Sequence, residues 1–491
     1  MSTPASETNQ AAAPAAAQPK ASPPLSWRVR FAFAFGQLSE GVQGTAFGIF
    51  LLFFYNQVAG LSGQMTSLAM FVALLIDAFV DPFIGSWSDR AQTRWGRRHP
   101  FMYAAALPFG LSFYLLFTPP SSLSDMQLFF WFVGFAVLNR ITLALYSIPH
   151  TAMTAELSND YDERTLLSSV RSLMGSVGTV LVMILGMSVF FSATPQYPNG
   201  QLNPEAYGLF AATFAAVLVF GIWASALGTH DQIPRLRQAV ATTKRFTVLQ
   251  VVREAGEAFA LPAFRTMVVT AILFGTTLGM VTALSLYLGN LYFGFTPEQL
   301  AISFPMTVLG SFIGAALATP LTRVFREKKT LLMAGLGWYA VWNTTPICMS
   351  LLGLFPAHGE QSAFMIVLVC NSVCGLGIGV LGVMMGSMVA DITDQHEAMH
   401  GVRQEGIYYA ALAFAAKVVG GAGVLLSGLI VDAAGITRNA NAGNTDPEAL
   451  RILAMCTGPG VLAMIAVTIF AASTYNISRA RHAQILAQIR R

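Results

Sequence analysis

Apolar stretches of about twenty residues or more recur along almost the whole chain, and short polar segments separate them. A helix needs about 20 apolar residues to cross the hydrocarbon core of a bilayer. Only 11% of the residues are charged, whereas soluble proteins carry about 25%. The sequence therefore predicts an all-α membrane protein with about twelve transmembrane helices. The predicted stretches are 31–58, 64–87, 100–118, 127–150, 168–192, 206–228, 265–290, 300–322, 330–354, 363–390, 405–433 and 450–475.

The basic residues cluster in alternate connecting segments. They follow the second, sixth and eighth apolar stretches and the last one, whereas segments 57–64, 119–126 and 193–205 carry at most one charged residue each. Lys and Arg concentrate in the cytoplasmic loops of membrane proteins. This asymmetry places both termini in the cytoplasm, which requires an even number of crossings. We therefore expect a multi-pass protein of a bacterial inner membrane.

A polar segment in the middle of the chain divides it into two similar halves. Residues 85–98 and 314–329 occupy equivalent positions in the two halves, and each combines glycine with a following basic cluster. Two like halves of six helices describe the major facilitator architecture, in which substrate binds near the middle of the membrane between the halves. The predicted parts are a disordered cytoplasmic tail (1–27), an N-terminal six-helix half (28–228), a cytoplasmic linker whose pattern fits an amphipathic helix (229–264), a C-terminal six-helix half (265–476) and a basic cytoplasmic tail (477–491).

Two carboxylates interrupt the second apolar stretch. Asp77 and Asp81 are four residues apart, so on a helix they point to one face. One charge within a membrane span costs about 2.5–3.5 kcal/mol on insertion scales. Such a pair needs a proton, a metal ion or a basic side chain to neutralise it. We interpret the pair as a site for a coupling cation; the alternative is a structural pair neutralised by a nearby Arg such as Arg171.

A single lysine interrupts the eleventh apolar stretch. Lys417 lies too deep in the stretch to reach the membrane surface easily. We expect it to face Asp77 and Asp81 across the interface between the halves, as an internal cation that competes with the external one. The alternative is a substrate ligand without a role in coupling.

Other polar residues within the apolar stretches are candidates for a substrate cavity, because polar groups facing lipid are costly. Glu40 could instead lie near a helix end within reach of water, and Arg140 could face the cavity or pair with a carboxylate. His150 follows Pro149 and could titrate near neutral pH or form a gate contact. The predicted substrate-binding residues are Glu40, Gln43, Tyr146, Ser147, Thr151, Arg171 and Tyr409.

Charged residues of both signs occur in the predicted cytoplasmic segments of both halves, including those after the fourth and tenth apolar stretches. Ion pairs between the halves could hold a cytoplasmic gate closed when the cavity faces outward, although each exposed pair contributes only about 0–1 kcal/mol. The predicted gate residues are Asp89, Arg90, Arg94, Glu156, Arg164, Asp391 and Arg403.

The sequence lacks the motifs of other functional classes. We find no Walker loop, zinc motif or nucleophile elbow, and no filter motif of a channel, so we expect neither an enzyme nor a channel. We expect no cofactor and no nucleic acid, and a monomer whose partners are a small-molecule substrate and membrane lipids.

The motifs resemble those of a known family. The segments 77–82 (Asp-x-x-x-Asp-Pro) and 94–100 (Arg-x-Gly-Arg-x-x-Pro) resemble the signature of the glycoside–pentoside–hexuronide:cation symporters, the melibiose permease group of the major facilitator superfamily. The resemblance extends over about 31–475. Further matching positions are Ile148, Pro149, Glu156, Glu163, Arg164, Arg171, Ala390, Asp391, Asp394, Glu397, Arg403, Glu405 and Lys417.

The resemblance implies cation-coupled symport of a sugar or glycoside by alternating access. It implies that Asp77 and Asp81 bind H⁺, Na⁺ or Li⁺, that Arg171 lines the binding pocket, and that sugar binds between the halves. The chain departs from the family where a carboxylate is replaced by Ser147 and a threonine ligand by Ala144. Because Na⁺ is a hard cation that prefers several oxygen ligands, we favour H⁺, with Na⁺ at Asp77 and Asp81 as the alternative.

Three hypotheses on the function of the chain follow: a sugar or glycoside symporter, an amphiphile carrier and a membrane sensor. The family's aromatic sugar platform is replaced by Thr151. The animal sodium-dependent lysophosphatidylcholine symporter resembles the same family, and it too keeps the two carboxylates and the lysine while lacking the carboxylate that Ser147 replaces here. The alternative is therefore a cation-coupled carrier of a lysolipid or another amphiphile on the same fold. A transport-inactive membrane sensor would require a dispensable cation site, and the intact Asp77, Asp81 and Lys417 argue against it.

Overall fold

The computed structural model describes residues 25–158, 160–236, 259–401, 405–440 and 443–489, and these residues are helical apart from turns and short connections. The predicted N-terminal tail and most of the predicted linker lie outside the described residues. The first six long helices are α1 (Trp27–Val58), α2 (Gly63–Arg90), α3 (His99–Phe117), α4 (Asp125–Leu157), α5 (Asp162–Phe190) and α6 (Pro204–Gln232). The others are α7 (Pro262–Tyr292), α8 (Pro297–Phe325), α9 (Lys328–Leu351), α10 (Gln361–His400), α11 (Glu405–Ala433), α12 (Pro447–Ser473) and α13 (Arg479–Ile489).

The prediction of about twelve transmembrane helices is confirmed. Within the described ranges, eleven helices are long and apolar enough to cross a membrane. The twelfth, α9, has 24 residues, and its Trp, Tyr, Asn and Thr side chains lower its hydropathy. The last helix, α13, lies where the sequence predicted only a basic tail, and it packs on α10.

The two halves repeat one packing pattern. In the first half α1 packs on α5 and α6, α4 packs on α2 and α3, and α3 packs on α6. In the second half α7 packs on α11 and α12, α10 packs on α8 and α9, and α9 packs on α12. Close backbone approach repeats as well: a Cβ at Gly41 of α1 would overlap the carbonyl oxygen of Gly175 in α5, and one at Gly279 of α7 would lie 2.8 Å from that of Gly420 in α11. The internal repeat seen in the sequence is therefore a structural one.

The two halves are joined at the end of the molecule that carries the charge-poor connections, here named the charge-poor end. Both carboxylate oxygens of Asp432, at the end of α11, accept hydrogen bonds of 2.7 Å from the backbone N–H groups of Gly63 and Gln64 at the start of α2. Asn290 donates to Gln201 across the same interface at 2.7 Å. α2 and α11, α5 and α8, and the end of α1 and α7 pack across the halves.

The opposite end carries the basic connections and is named the basic end. The ion pairs described there join helices of the same half, as between Arg98 and Glu156 in the first half and between Lys328 and Asp391 in the second. Of the two ends, the charge-poor one is therefore where the described hydrogen bonds tie the halves together.

Candidate cation and substrate site

The two carboxylates of α2 lie in one cluster with two cations from different helices. Asp77 is 1% exposed, and its Oδ2 lies 2.5 Å from Nη2 of Arg140 in α4 and 2.9 Å from Nζ of Lys417 in α11. The same Lys417 Nζ donates a hydrogen bond to Oδ2 of Asp81. Two negative and two positive groups thus balance within the cluster, and Lys417 is the member contributed by the C-terminal half.

Each carboxylate of the cluster retains one unused oxygen. Oδ1 of Asp77 and Oδ1 of Asp81 are buried and have no hydrogen-bond partner among the described residues. A buried acceptor without a partner carries a desolvation penalty of about 1–3 kcal/mol. These two oxygens are therefore free to receive a proton or to ligate a cation, provided that Lys417 moves away and leaves the negative charge unbalanced.

The guanidinium of Arg140, which pairs with Asp77, also contacts an aromatic ring. Its guanidinium carbon lies 5.3 Å from the centroid of the Phe47 ring in α1, a distance at which a cation is attracted to the ring face. Arg140 and Asp77 both belong to the N-terminal half. Separation of the halves therefore breaks the contacts of Lys417 and leaves the Arg140–Asp77 pair in place.

A second polar group lies between α1, α4 and α5. Oε2 of Glu40 accepts a hydrogen bond from Gln37 at 2.8 Å, and Oε1 lies 4.0 Å from Nδ1 of His150. Nη1 of Arg171 donates to Oγ1 of Thr151 at 2.7 Å. Arg171 interacts electrostatically with Glu40, as does Lys417. The cation cluster and this second polar group are therefore coupled through charge.

A cavity of about 250 Å³ is lined mainly by residues of the C-terminal half. Most of its lining is apolar. Its few polar groups include the hydrogen-bonded pair Asn371 and Ser303, 2.9 Å apart, and the buried hydroxyl of Tyr339, which has no partner among the described residues. The first half contributes Ile49 of α1 and Thr179 and Met183 of α5. The cavity thus adds an apolar region at the interface between the halves.

A sequence profile of the family described as MFS/sugar transport protein matches residues 32–479. The chain belongs to this family. The resemblance derived from the motifs is thereby confirmed, and so is the expectation of a transporter rather than an enzyme. This transporter is an integral multi-pass membrane protein.

Several relatives are carriers of sugars or sugar derivatives by name, and others are named only as symporters. The isoprimeverose transporter of Lactiplantibacillus pentosus is 26% identical over 426 residues, covering 84% of this chain and 82% of that protein. The glucuronide carrier protein homolog of Escherichia coli strain K12 is 22% identical and covers 80% of both chains. The inward open conformation of the xylose transporter XylE from E. coli has a TM-score of 0.61 at 14% identity, covering 94% of this transporter and 98% of that chain, which shows a common fold.

Two predicted substrate-binding residues of the transporter are buried in the packing of the N-terminal half. Gln43 is 1% exposed and donates to Asn139 at 3.0 Å within the N-terminal half. Tyr146 is fully buried, and its ring stacks on His150 with centroids 5.0 Å apart. In this conformation both side chains therefore stabilise the packing of the N-terminal half. Ser147 is partly buried on α4, and the side chain of Tyr409 lies outside the described part of the structure.

The predicted gate residues make their described contacts within one half. Glu156 binds Arg98, which also binds Asp89, both at 2.6 Å, and Arg164 donates to the carbonyl oxygen of Ser158 at 2.6 Å. Arg90 is exposed, and the guanidinium of Arg94 lies over the Trp95 ring. Asp391 binds Lys328, and Arg403 lies outside the described residues. The predicted ion pairs between the halves belong to the conformation whose cavity faces outward, so they stay a prediction.

Three interactions of the transporter were not predicted. The sequence left the partner of Arg140 open, although the cost of an unpaired arginine in a span was a signal that it should pair with Asp77. Nothing in the sequence distinguished Arg98 from its basic neighbours as the residue that pairs with Glu156 and Asp89. The bonds of Asp432 had none, because their donors are backbone N–H groups that carry no sequence pattern.

Proposed function

We propose that this transporter carries a sugar or glycoside together with a cation, H⁺ rather than Na⁺, by alternating access. The observation that supports the proposal is the contact of Lys417, from one half, with Asp77 and Asp81 of the other half. A cation that binds Asp81 competes with Lys417 for the same carboxylate. Cation binding and the relative position of the halves are then linked through one side chain.

The proposed cycle begins with the empty carrier. Lys417 neutralises Asp81 while Arg140 neutralises Asp77, so that the carrier can change conformation without an unbalanced charge in the membrane. A proton or Na⁺ arriving at Asp81 releases Lys417, whose charge then interacts with Glu40 or with an oxygen of the substrate. The halves rock, and both ligands leave on the other side.

The proposed sugar site is the group of Glu40, Arg171 and Thr151. A carboxylate accepts hydrogen bonds from neighbouring hydroxyl groups, and a guanidinium donates several in a fixed plane. Since Glu40 has one buried oxygen without a partner among the described residues, it has an acceptor ready for a sugar hydroxyl. The charge coupling between Glu40 and Lys417 connects this site to the cation.

The proposed orientation places the basic end in the cytoplasm. The positive-inside rule supports it, and both termini are then cytoplasmic. Because the halves are hydrogen-bonded to each other at the charge-poor end, whereas the described ion pairs at the basic end stay within one half, the conformation corresponds to a carrier whose cavity opens inward. This is the state in which cation and substrate leave, and in it Lys417 occupies the position of the cation.

The preference for H⁺ follows from the oxygens around Asp81. A proton needs one carboxylate, whereas Na⁺ prefers several oxygen ligands. The cluster offers two unused oxygens, and Ser147 stands where the family has a further carboxylate. In weakly buffered proteoliposomes, substrate addition should make the external medium alkaline. Unchanged external pH together with entry of ²²Na⁺ would contradict the preference.

The second candidate function is transport of an amphiphile by the same mechanism, and the mainly apolar cavity of about 250 Å³ favours it. A panel of isoprimeverose, a methyl glucuronide, octyl glucoside and lysophosphatidylcholine separates the two candidates. Uptake of the first two without the last supports a sugar or glycoside. Uptake of lysophosphatidylcholine alone supports the amphiphile.

A further inference from the structure

A second cavity, of about 420 Å³, lies at the basic end of the C-terminal half, far in sequence from the carboxylates of α2. The ends of α8 and α10, the start of α9 and the helix α13 form it. Five of its lining side chains carry or can acquire positive charge. They are Arg323, Arg326, Lys328, Arg479 and His482.

The acidic groups of this basic cavity are already engaged. Asp391 accepts hydrogen bonds from Nζ of Lys328 at 2.6 and 2.8 Å, and its Oδ1 lies 3.4 Å from Nε2 of His482. Glu327 accepts from the backbone N–H of Arg479 at 3.1 Å. Their charge is therefore directed at Lys328, His482 and the start of α13.

Three guanidinium groups that line the basic cavity have no carboxylate partner among the described residues. The side chains of Arg323, Arg326 and Arg479 make no hydrogen bond or ion pair with any residue in the described part of the chain. The equivalent basic connection of the N-terminal half differs, because there Glu156 binds both Arg97 and Arg98. The C-terminal half thus gathers arginines around a cavity without supplying carboxylates for them.

The backbone at Arg326 is a separate observation about the same cavity. Arg326 has a φ of 58°, in a region that side chains other than glycine rarely adopt. It lies in the tight connection between α8 and α9, where glycine would be the unstrained choice. Strained residues cluster at binding sites, where a ligand contact offsets their cost. Arg326 therefore holds its side chain at this cavity at a backbone cost that glycine would avoid.

We propose that the basic cavity binds a phosphate ester, with Arg323, Arg326 and Arg479 donating to its oxygens. A phosphate monoester carries up to two charges and several acceptor oxygens, which suits converging guanidinium groups. Val383, Met384 and Ile477 line the same cavity and suit the apolar part of such a ligand. The ester is either the headgroup of an anionic phospholipid or a soluble molecule, and occupancy stabilises α13 on α10.

The test uses the full chain and two probes. Glycerol 3-phosphate is titrated against the transporter in nanodiscs of phosphatidylcholine, and separately phosphatidylglycerol is introduced into the nanodiscs. The readouts are the melting temperature and hydrogen–deuterium exchange of residues 479–489. We expect at least one probe to raise the melting temperature and to slow exchange in α13. A response to glycerol 3-phosphate indicates a soluble ester, and a response to phosphatidylglycerol alone indicates a lipid headgroup.

The variants separate binding from folding. Arg323→Gln should weaken the response about tenfold, as expected for loss of a charged hydrogen bond. Arg326→Gly should do the same while raising the melting temperature without ligand, since glycine relieves the positive φ. The matched control is Arg265→Gln, because Arg265 is an exposed arginine at the start of α7, at the basic end of the molecule. The proposal is overturned if neither probe acts on the wild type, or if Arg265→Gln weakens the response as much as Arg323→Gln.

Discussion

At the residue scale, the spacing of the two carboxylates carried most of the information. Their separation by four residues predicted a common face, and a lone Lys417 in another span predicted a partner across the interface; the structure brings the three together. The partners inside the N-terminal half could not be derived in the same way. Gln43 looks like a cavity residue by polarity, but only three-dimensional packing shows that Asn139 satisfies it.

The pair of Arg140 and Asp77 should stabilise the fold of the N-terminal half. Arg140→Gln leaves the buried Asp77 with Lys417 as its only described cation, and loss of one partner from a buried pair costs about 3 kcal/mol or more. We expect a clearly lower melting temperature in detergent. The double variant Arg140→Gln/Asp77→Asn removes both charges and should recover much of the loss. A double variant less stable than Arg140→Gln would refute the pairing.

Lys417 should compete with the coupling cation. In Lys417→Gln, the empty carrier keeps an unbalanced carboxylate at Asp81, so the cation should bind about tenfold more tightly, as expected for removal of a charged hydrogen bond. Return of the empty carrier should slow, while exchange of labelled for unlabelled substrate persists. Titration of substrate exchange against pH or Na⁺ measures the shift. Lys417→Arg, which keeps the charge, is the control and should shift the titration less; an unchanged midpoint in Lys417→Gln would exclude competition.

At the element scale, hydropathy located the spans but not their full extent. The tenth stretch was predicted at 363–390, whereas α10 runs over Gln361–His400. Its last turns carry polar residues that lie beyond the apolar part, and hydropathy reports only the apolar part of a helix. The helix α13 escaped prediction for the same reason, because it is short and polar and packs by Ile485 and His482.

The cap that Asp432 forms on α2 should favour the conformation closed at the charge-poor end. A carboxylate that accepts from the first N–H groups of a helix contributes about 1 kcal/mol. Asp432→Ala should therefore move the population toward opening at that end. Double electron–electron resonance measures the distance between spin labels at Gln64 and Thr437. The fraction of molecules with a long distance should be larger in Asp432→Ala than in the wild type.

The control for the cap is Asp446→Ala. Asp446 caps the start of α12 within the C-terminal half and accepts from Glu448 N–H at 2.9 Å, so its loss removes a cap without touching the interface. Equal distance distributions in Asp432→Ala and the wild type would show that the cap does not hold the halves together.

At the scale of the whole molecule, the repeat and the charge asymmetry were readable from the sequence. Both are properties of long stretches, so an error of a few residues in the bounds of one helix does not change them. The conformation was not readable, because the same residues must serve both the inward and the outward state. The substrate was not readable either, since the apolar cavity is assembled from α1, α5 and five helices of the other half.

The central claim is that a cation at Asp81 replaces Lys417 and thereby couples transport to an ion gradient. The most direct test compares uptake with counterflow in proteoliposomes, using the substrate with the highest uptake in the panel. Wild type should concentrate substrate when an inward H⁺ gradient is imposed, and so should Asp125→Asn, which changes an exposed carboxylate at the charge-poor end. Asp81→Asn should retain counterflow and lose accumulation. Normal accumulation in Asp81→Asn would contradict the account.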